Sequence, residues 1–180
     1  MFTFWVSTMT SFAILAIFPL CMVFATLSDL LTMKIPNKVI MVMLVGFVVL
    51  APLAGMSLTT AGWSLGVALV VLAIGFALFC FGVMGGGDAK LLAVTSLWLG
   101  TAHSPLYLIY GGLLGGALTL LILALRRNPM PMFMYKIGWI DRLHDTREGV
   151  PYGAALGPAA MLVFPDSPWM DFAVRGLPIG

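Results

Sequence analysis

The chain has 180 residues, of which 61% are hydrophobic and 9% charged, and its mean hydropathy is +1.08. A soluble domain carries about 25% charged residues, so this composition excludes one and marks an integral membrane protein, a single membrane-embedded domain over residues 1–180. The net charge of +2 excludes little and nothing in it points to nucleic acid; the distribution of the charges says more.

A membrane-crossing helix needs about 20 apolar residues. Residues 1–20 contain no Lys or Arg, so the basic region of a cleaved signal peptide is missing, and the first span is retained, from about Met9 to Ser28. A polar turn, Asp29 to Asn37, follows, with Pro36 placed to begin the next helix. The second span runs from Lys38 to about Gly55, with Pro52 near its end, and the third from Ala61 to about Phe81. Gly82 to Gly87 is a glycine-rich break. Asp88 to Gly100 is a short apolar segment, His103-Ser104-Pro105 reads as a loop, and Leu106 to Leu125 is a fifth span. There Gly111-Gly112 and Gly115-Gly116 place small residues four apart, a spacing that lets helices approach closely. In the hydrophilic stretch Arg126–Val150, Phe133, Ile137, Ile140 and Leu143 or His144 recur at helical spacing. That stretch is either a short interfacial amphipathic helix or a solvated loop. Pro151 to about Phe164 is a short sixth span, and Pro165 to Gly180 reads as a loose tail. The fold class is therefore all-α, a bundle of about six transmembrane helices.

The basic residues orient it. With six spans, Lys34, Lys38, Lys90, Arg126, Arg127, Lys136, Arg142 and Arg147 fall on one side and only Arg175 on the other. Such asymmetry marks the cytoplasmic face, so both termini are expected outside.

The first 125 residues carry only five charged side chains, Asp29, Lys34, Lys38, Asp88 and Lys90. Ionisable groups near a bilayer are costly, and their default reading is functional. The span count puts Asp29 and Asp88 at the same, cytoplasmic depth. Asp88 follows Gly85-Gly86-Gly87 at the start of a helix, where free N–H groups and the helix dipole favour a carboxylate. Asp29 stands at a helix end, where they do not. If the two acids meet, one ionised and one protonated carboxyl can activate water and donate to a peptide carbonyl oxygen. The glycines either form a flexible turn or let backbone approach closely.

Other chemistries find less support. Gly62-Trp63-Ser64-Leu65-Gly66 matches the G-x-S-x-G pattern of serine hydrolases, but it lies inside an apolar helix rather than a strand–turn–helix elbow, far in depth from any acid. Gly62 and Gly66 read better as a helix-packing face. His103 and His144 fall on opposite sides and H-E-x-x-H is absent, so no metal and no cofactor is called for. Cys21 and Cys80 lie in apolar runs as packing residues.

Ser28-Asp29 with Ile35-Pro36-Asn37 behind it fits D-x5-I-P-N, and Gly85-Gly86-Gly87-Asp88-Ala89-Lys90-Leu91 contains GxGD. In both, and in Pro151-Tyr152-Gly153 opening the last span, the chain resembles the type IV prepilin leader peptidases, intramembrane aspartyl proteases of the GxGD class. The resemblance implies that Asp29 and Asp88 are the catalytic pair. It implies a prepilin or pseudopilin substrate, cut at the cytoplasmic face of a bacterial inner membrane, and partners among pilus-assembly or secretion machinery. Larger members carry a zinc-binding Cys-x-x-Cys insertion and N-methylate the new terminus. This chain lacks that insertion between its first two spans and resembles the short peptidases of Flp/Tad systems, so methyltransferase activity is not expected. Gly85, Gly86 and Gly87 would shape the approach to Asp88. Lys90 would either steer an acidic residue of the substrate or mark the inner face. The rival reading is a small ion- or proton-coupled transporter using the same two carboxylates as a relay.

Overall fold

The computed structural model describes residues 2–128 and 136–176, and among them there are helices and no strands. In chain order the α-helices are α1 (Phe2–Thr32), α2 (Asn37–Leu53), α3 (Leu58–Cys80), α4 (Gly86–Arg126), α5 (Gly138–His144), α6 (Gly153–Val163) and α7 (Pro168–Gly176), with a 3₁₀ turn, Phe164–Asp166, between the last two. Three of these are long and apolar enough to cross a membrane: Trp5–Thr32 of α1, α3 and α4.

The first helix is longer than the sequence suggests. It runs one turn past Ser28, so Asp29 lies within α1 rather than beyond its end. Ser11, Ile14, Phe18, Met22, Ala25 and Asp29 are all buried, and their spacing of three and four residues puts them on one face of the helix. Asp29 is thus the last residue of the stripe that α1 turns towards the bundle. The opposite face carries Leu20, Val23, Phe24 and Leu27, all exposed, as suits a surface that meets lipid. Helix α3 is buried along Ser64, Ala68, Val71 and Gly75, the same helical period, and packs against α4. A Cβ on Gly75 would come within 2.9 Å of the Ala89 Cβ, so the two helices approach as closely as backbones allow there.

Helix α4 contains the largest departure from the expected spans. Its backbone leaves helical geometry at Gly100 (φ 66°, ψ −170°), a conformation that glycine adopts without a Cβ penalty. The chain doubles back there, because the Ser104 hydroxyl donates to the Ser96 carbonyl at 3.1 Å, whereas eight residues of straight helix would separate them by about 12 Å. The expected loop at His103–Pro105 is helical instead. Pro105 falls close to the restart of the helix, where few amide partners are lost. The break comes at the glycine, not at the proline, and the fourth and fifth expected spans are the two arms of α4. From Ala93 to Leu99 every residue of the first arm is buried, so it is the central rod, enclosed by its neighbours rather than by lipid.

Close to the Gly100 turn, aromatic side chains pack tightly. Trp98 and Trp169 lie with ring centroids 4.6 Å apart, Phe18 stacks on Phe164 at 4.3 Å, and Phe47 sits edge-on to Trp169 at 5.7 Å. A helix that stops at Leu99 leaves its last carbonyls without intrahelical partners. The Trp169 indole N–H donates to the Trp98 carbonyl at 2.6 Å, and the Trp98 indole N–H donates to the Met43 carbonyl at 3.0 Å. The tail expected to be loose is therefore ordered through α7, whose Trp169 and Ala173 are buried and which packs on α1.

Two expectations about glycine separate. Gly111 and Gly115 do form a close face, since a Cβ on them would meet Leu156 Cδ2 at 3.1 Å and Tyr152 Cε1 at 2.7 Å. A Cβ on Gly62 or Gly66 would meet nothing within 4 Å, so the expected packing face on α3 is not one: the buried face of that helix is Ser64 and its periodic partners. The hydrophilic stretch after Arg126 does contain a helix, α5, with no buried residue. Phe133 of its expected apolar stripe lies outside the described residues.

Candidate active site

Four segments from three distant parts of the sequence meet at the end of the bundle away from the aromatic cluster. They are the last turn of α1, the α1–α2 loop, the start of α4 and the start of α6. Asp29 and Asp88 line one cavity of about 570 Å³ together with Met33 to Asn37 and Gly85 to Gly87. Both acids are buried, at 4% and 7% exposure, and Asp88 lies close enough to Asp29 to feel its charge.

Asp88 is positioned by the local chain. Gly85 is the N-cap of α4 and Asp88 its third helical residue, the position from which an acidic side chain reaches back to the N-cap N–H. The Gly85 N–H is turned to the Asp88 carboxylate. A Cβ on Gly85 would stand 2.7 Å from Asp88 Oδ2, so this fold-back requires glycine. Asp29 is held by a different device. The first turn of α6 points at it, with the Gly153 and Ala154 N–H groups facing the Asp29 carboxylate and the Gly153 N–H facing Asp88 as well. The Gly153 N–H is one that a helix start leaves without an intrahelical partner, at the end where the dipole favours negative charge, while the Ala154 N–H also donates to the Pro151 carbonyl at 3.1 Å. The Oδ2 atom of Asp29 has no hydrogen-bond partner. Arrayed this way, the pair brings two carboxyls to one cavity, one of whose oxygens, Asp29 Oδ2, is buried and unpaired, an arrangement that general acid–base chemistry on a carbonyl can use.

The expected site-shaping residues divide. Gly85 abuts Asp88, and a Cβ on Gly87 would approach Ile35 Cβ to 3.3 Å. Gly86 lines the cavity but faces Phe79, 3.4 Å from its would-be Cβ. Lys90 does not line the cavity. Its Nζ donates to Asn37 Oδ1 at 3.2 Å, tying the start of α4 to the start of α2.

Three contributors escaped sequence reasoning. Gly153 was noted only within a Pro-Tyr-Gly motif, yet a Cβ there would lie 2.9 Å from Asp29 Oδ2. Gly157, one turn on, leaves room for the Thr26 hydroxyl, which a Cβ would overlap; this keeps α6 seated on α1. Tyr107, fully buried, lies against Thr95, senses the charge of Asp88 and has no hydrogen bond at its hydroxyl.

The surrounding cations sit at the same end. Arg142 donates to the Leu31 carbonyl at the end of α1. The Arg126 guanidinium donates to the Leu143 carbonyl at 2.8 Å and to the Gly149 carbonyl at 3.0 Å, strapping the end of α4 to the segment that leads into α6. Among the described residues no three His, Cys, Asp or Glu side chains gather as a metal-ligand set. Ser64 and His103 line a separate cavity of about 440 Å³ beside the Gly100 turn, and no carboxylate lines it.

Comparison with known proteins gives one match. The model of the type IV leader peptidase family covers residues 16–120, more than half of the chain and both aspartates. No curated protein and no solved structure matches it.

Proposed function

The chain belongs to the type IV leader peptidase family and is a multi-pass membrane protease, and from that premise we propose that Asp29 and Asp88 are its catalytic pair, acting on prepilin leaders. One observation carries this reading. Two acids separated by most of the matched region, and the only acidic residues in it, share one cavity and the Gly153 N–H at one helix start.

In the proposed mechanism one carboxylate removes a proton from water while the other, protonated, donates to the carbonyl oxygen of the scissile peptide. The water oxygen forms the new bond to carbon, and the proton held by the base then passes to the leaving amine as the C–N bond breaks. The Gly153 N–H supports whichever carboxyl is ionised. The substrate is a prepilin or pseudopilin, and the enzyme serves a pilus-assembly or secretion system. The whole of residues 1–180 forms one peptidase domain, because α6, beyond the matched region, completes the site. The cavity faces the cytoplasm of a bacterial inner membrane, a reading supported by Lys34, Lys90, Arg126 and Arg142 at its end of the bundle. A reporter fused after Arg147 would then be cytoplasmic, and one at Gly180 external.

The direct test is cleavage of a leader-bearing prepilin by purified protein in detergent. The parent should release the leader, and Asp29→Asn and Asp88→Asn should not. Cleavage by either variant at the parental rate would sink the two-aspartate mechanism.

A further inference from the structure

The α1–α2 loop places one side chain across the mouth of the site. Ile35 lines the cavity with both acids and reaches from the start of α4 to the start of α6. A Cβ on Gly87 would come within 3.3 Å of Ile35 Cβ, and a Cβ on Gly153 within 2.7 Å of Ile35 Cδ1. The two glycines that flank the acids are thus also the two surfaces against which Ile35 is wedged.

The loop holds it there from both sides. Ser28 Oγ donates to the Lys34 carbonyl at 2.9 Å, and Thr32 Oγ1 approaches the same carbonyl at 3.3 Å. Met33 stands at φ 55°, a conformation that few side-chain-bearing residues adopt without support from their surroundings. Pro36, with its ring-fixed φ of −63°, caps α2. The Ile35 side chain is itself stiff, being branched at Cβ. It is partly buried against the core, so what remains exposed is a fixed apolar wall.

We propose that Ile35 is a specificity-determining residue that limits the size of the substrate side chain next to the scissile bond. The inference rests on the reading of Asp29 and Asp88 as the catalytic pair. A peptide whose carbonyl reaches both carboxyls enters the cavity that Ile35 lines with them and brings a flanking side chain against Ile35. Because both glycines lack a side chain, Ile35 packs into the gap between them and forms a wall of the cavity beside the acids, which a small flanking side chain clears and a large one meets.

The test uses purified full-length protein and a prepilin series carrying Ala, Val or Leu at each of the two residues flanking the scissile bond, with kcat/KM as readout. At one flanking position the parent should lose about tenfold or more from Ala to Leu, the scale on which an apolar pocket resolves added methylenes. Ile35→Val removes Cδ1, the atom that meets Gly153, and should shrink that ratio. Ile35→Ala should bring it to about threefold. A purely structural Ile35 would lower stability and the rate on every substrate alike, leaving the ratios as in the parent. Unchanged ratios at both positions in Ile35→Val overturn the inference even if Ile35→Ala does not fold. A parent that cuts no member of the series, the natural sequence included, overturns the prepilin reading and the inference with it.

Discussion

At one end of the bundle Asp29 and Asp88 lie among Gly85, Gly87 and Gly153 around an open cavity. At the other end Trp98, Trp169, Phe18, Phe47 and Phe164 fill the space between the same helices. Trp98 is ten residues along α4 from Asp88, about 15 Å by the helical rise. At the aromatic end both indole N–H groups close onto carbonyls, and the buried side-chain atom without a partner there, among the described residues, is His103 Nδ1. The acid end leaves Asp29 Oδ2 without a partner. One end is packed with aromatic rings and carries no carboxylate in its cavity, and the other gathers two acids around one. The rigid aromatic end can thus hold helices whose opposite tips carry costly groups.

If the division is real, substitutions at the two ends should fail in different ways. The largest effect belongs to the acids. Asp29→Asn or Asp88→Asn should lower leader cleavage by about a thousandfold or more, and the double variant should cost little beyond either single one, because groups acting as a unit are not additive. The thermal midpoint in detergent should not fall, since Asn keeps the shape and removes a buried charge; a fall matching the lost activity would break the comparison. Trp98→Ala should do the reverse. It should destabilise the protein by about 3 kcal/mol, at the low end for a large buried aromatic because lipid-embedded helices lose packing rather than hydrophobic burial, while the fraction still folded cleaves at nearly the parental rate. Trp169→Phe keeps the ring stack and removes the bond to the Trp98 carbonyl, and should cost about 1 kcal/mol in the same melting experiment. The smallest expected effect is none. EDTA should leave the cleavage rate unchanged, because two carboxyls alone are a poor cage for a divalent cation; inhibition reversed by Mg²⁺ or Ca²⁺ would add a metal to the acid end.

The acid end was the more legible in sequence, for a physical reason. Charges are rare in this chain, so Asp29 and Asp88 stood out, and Asp29 continues the three-and-four spacing of Phe18, Met22 and Ala25. The Gly-Gly-Gly run before Asp88 allowed either a flexible turn or close backbone approach, and Gly85 and Gly87 show the second. What could not be read was the third partner. Gly153 contributes an N–H and the absence of a side chain, and neither leaves a pattern in composition. The aromatic end was misread where local signals competed. His103-Ser104-Pro105 looks like a loop, but a proline near a helix start costs little, and Gly100 carried the turn instead. Asp166, Asp171 and Arg175 made the tail look solvated, although Trp169 and Ala173, four apart, were enough to mark a buried face. Gly62 and Gly66 had the spacing of a packing face, and only the position of α4 shows that α3 turns them away from it.

The Gly153 contact has a consequence for biogenesis. Both aspartates and the loop bearing Ile35 are synthesised well before α6, and at about 5–20 residues per second the chain spends several seconds at the ribosome with the acids made and no helix start to receive them. If Gly153 supports the carboxyl pair as proposed, the nascent segment cannot act until α6, which lies in about the last sixth of the chain, docks beside α1.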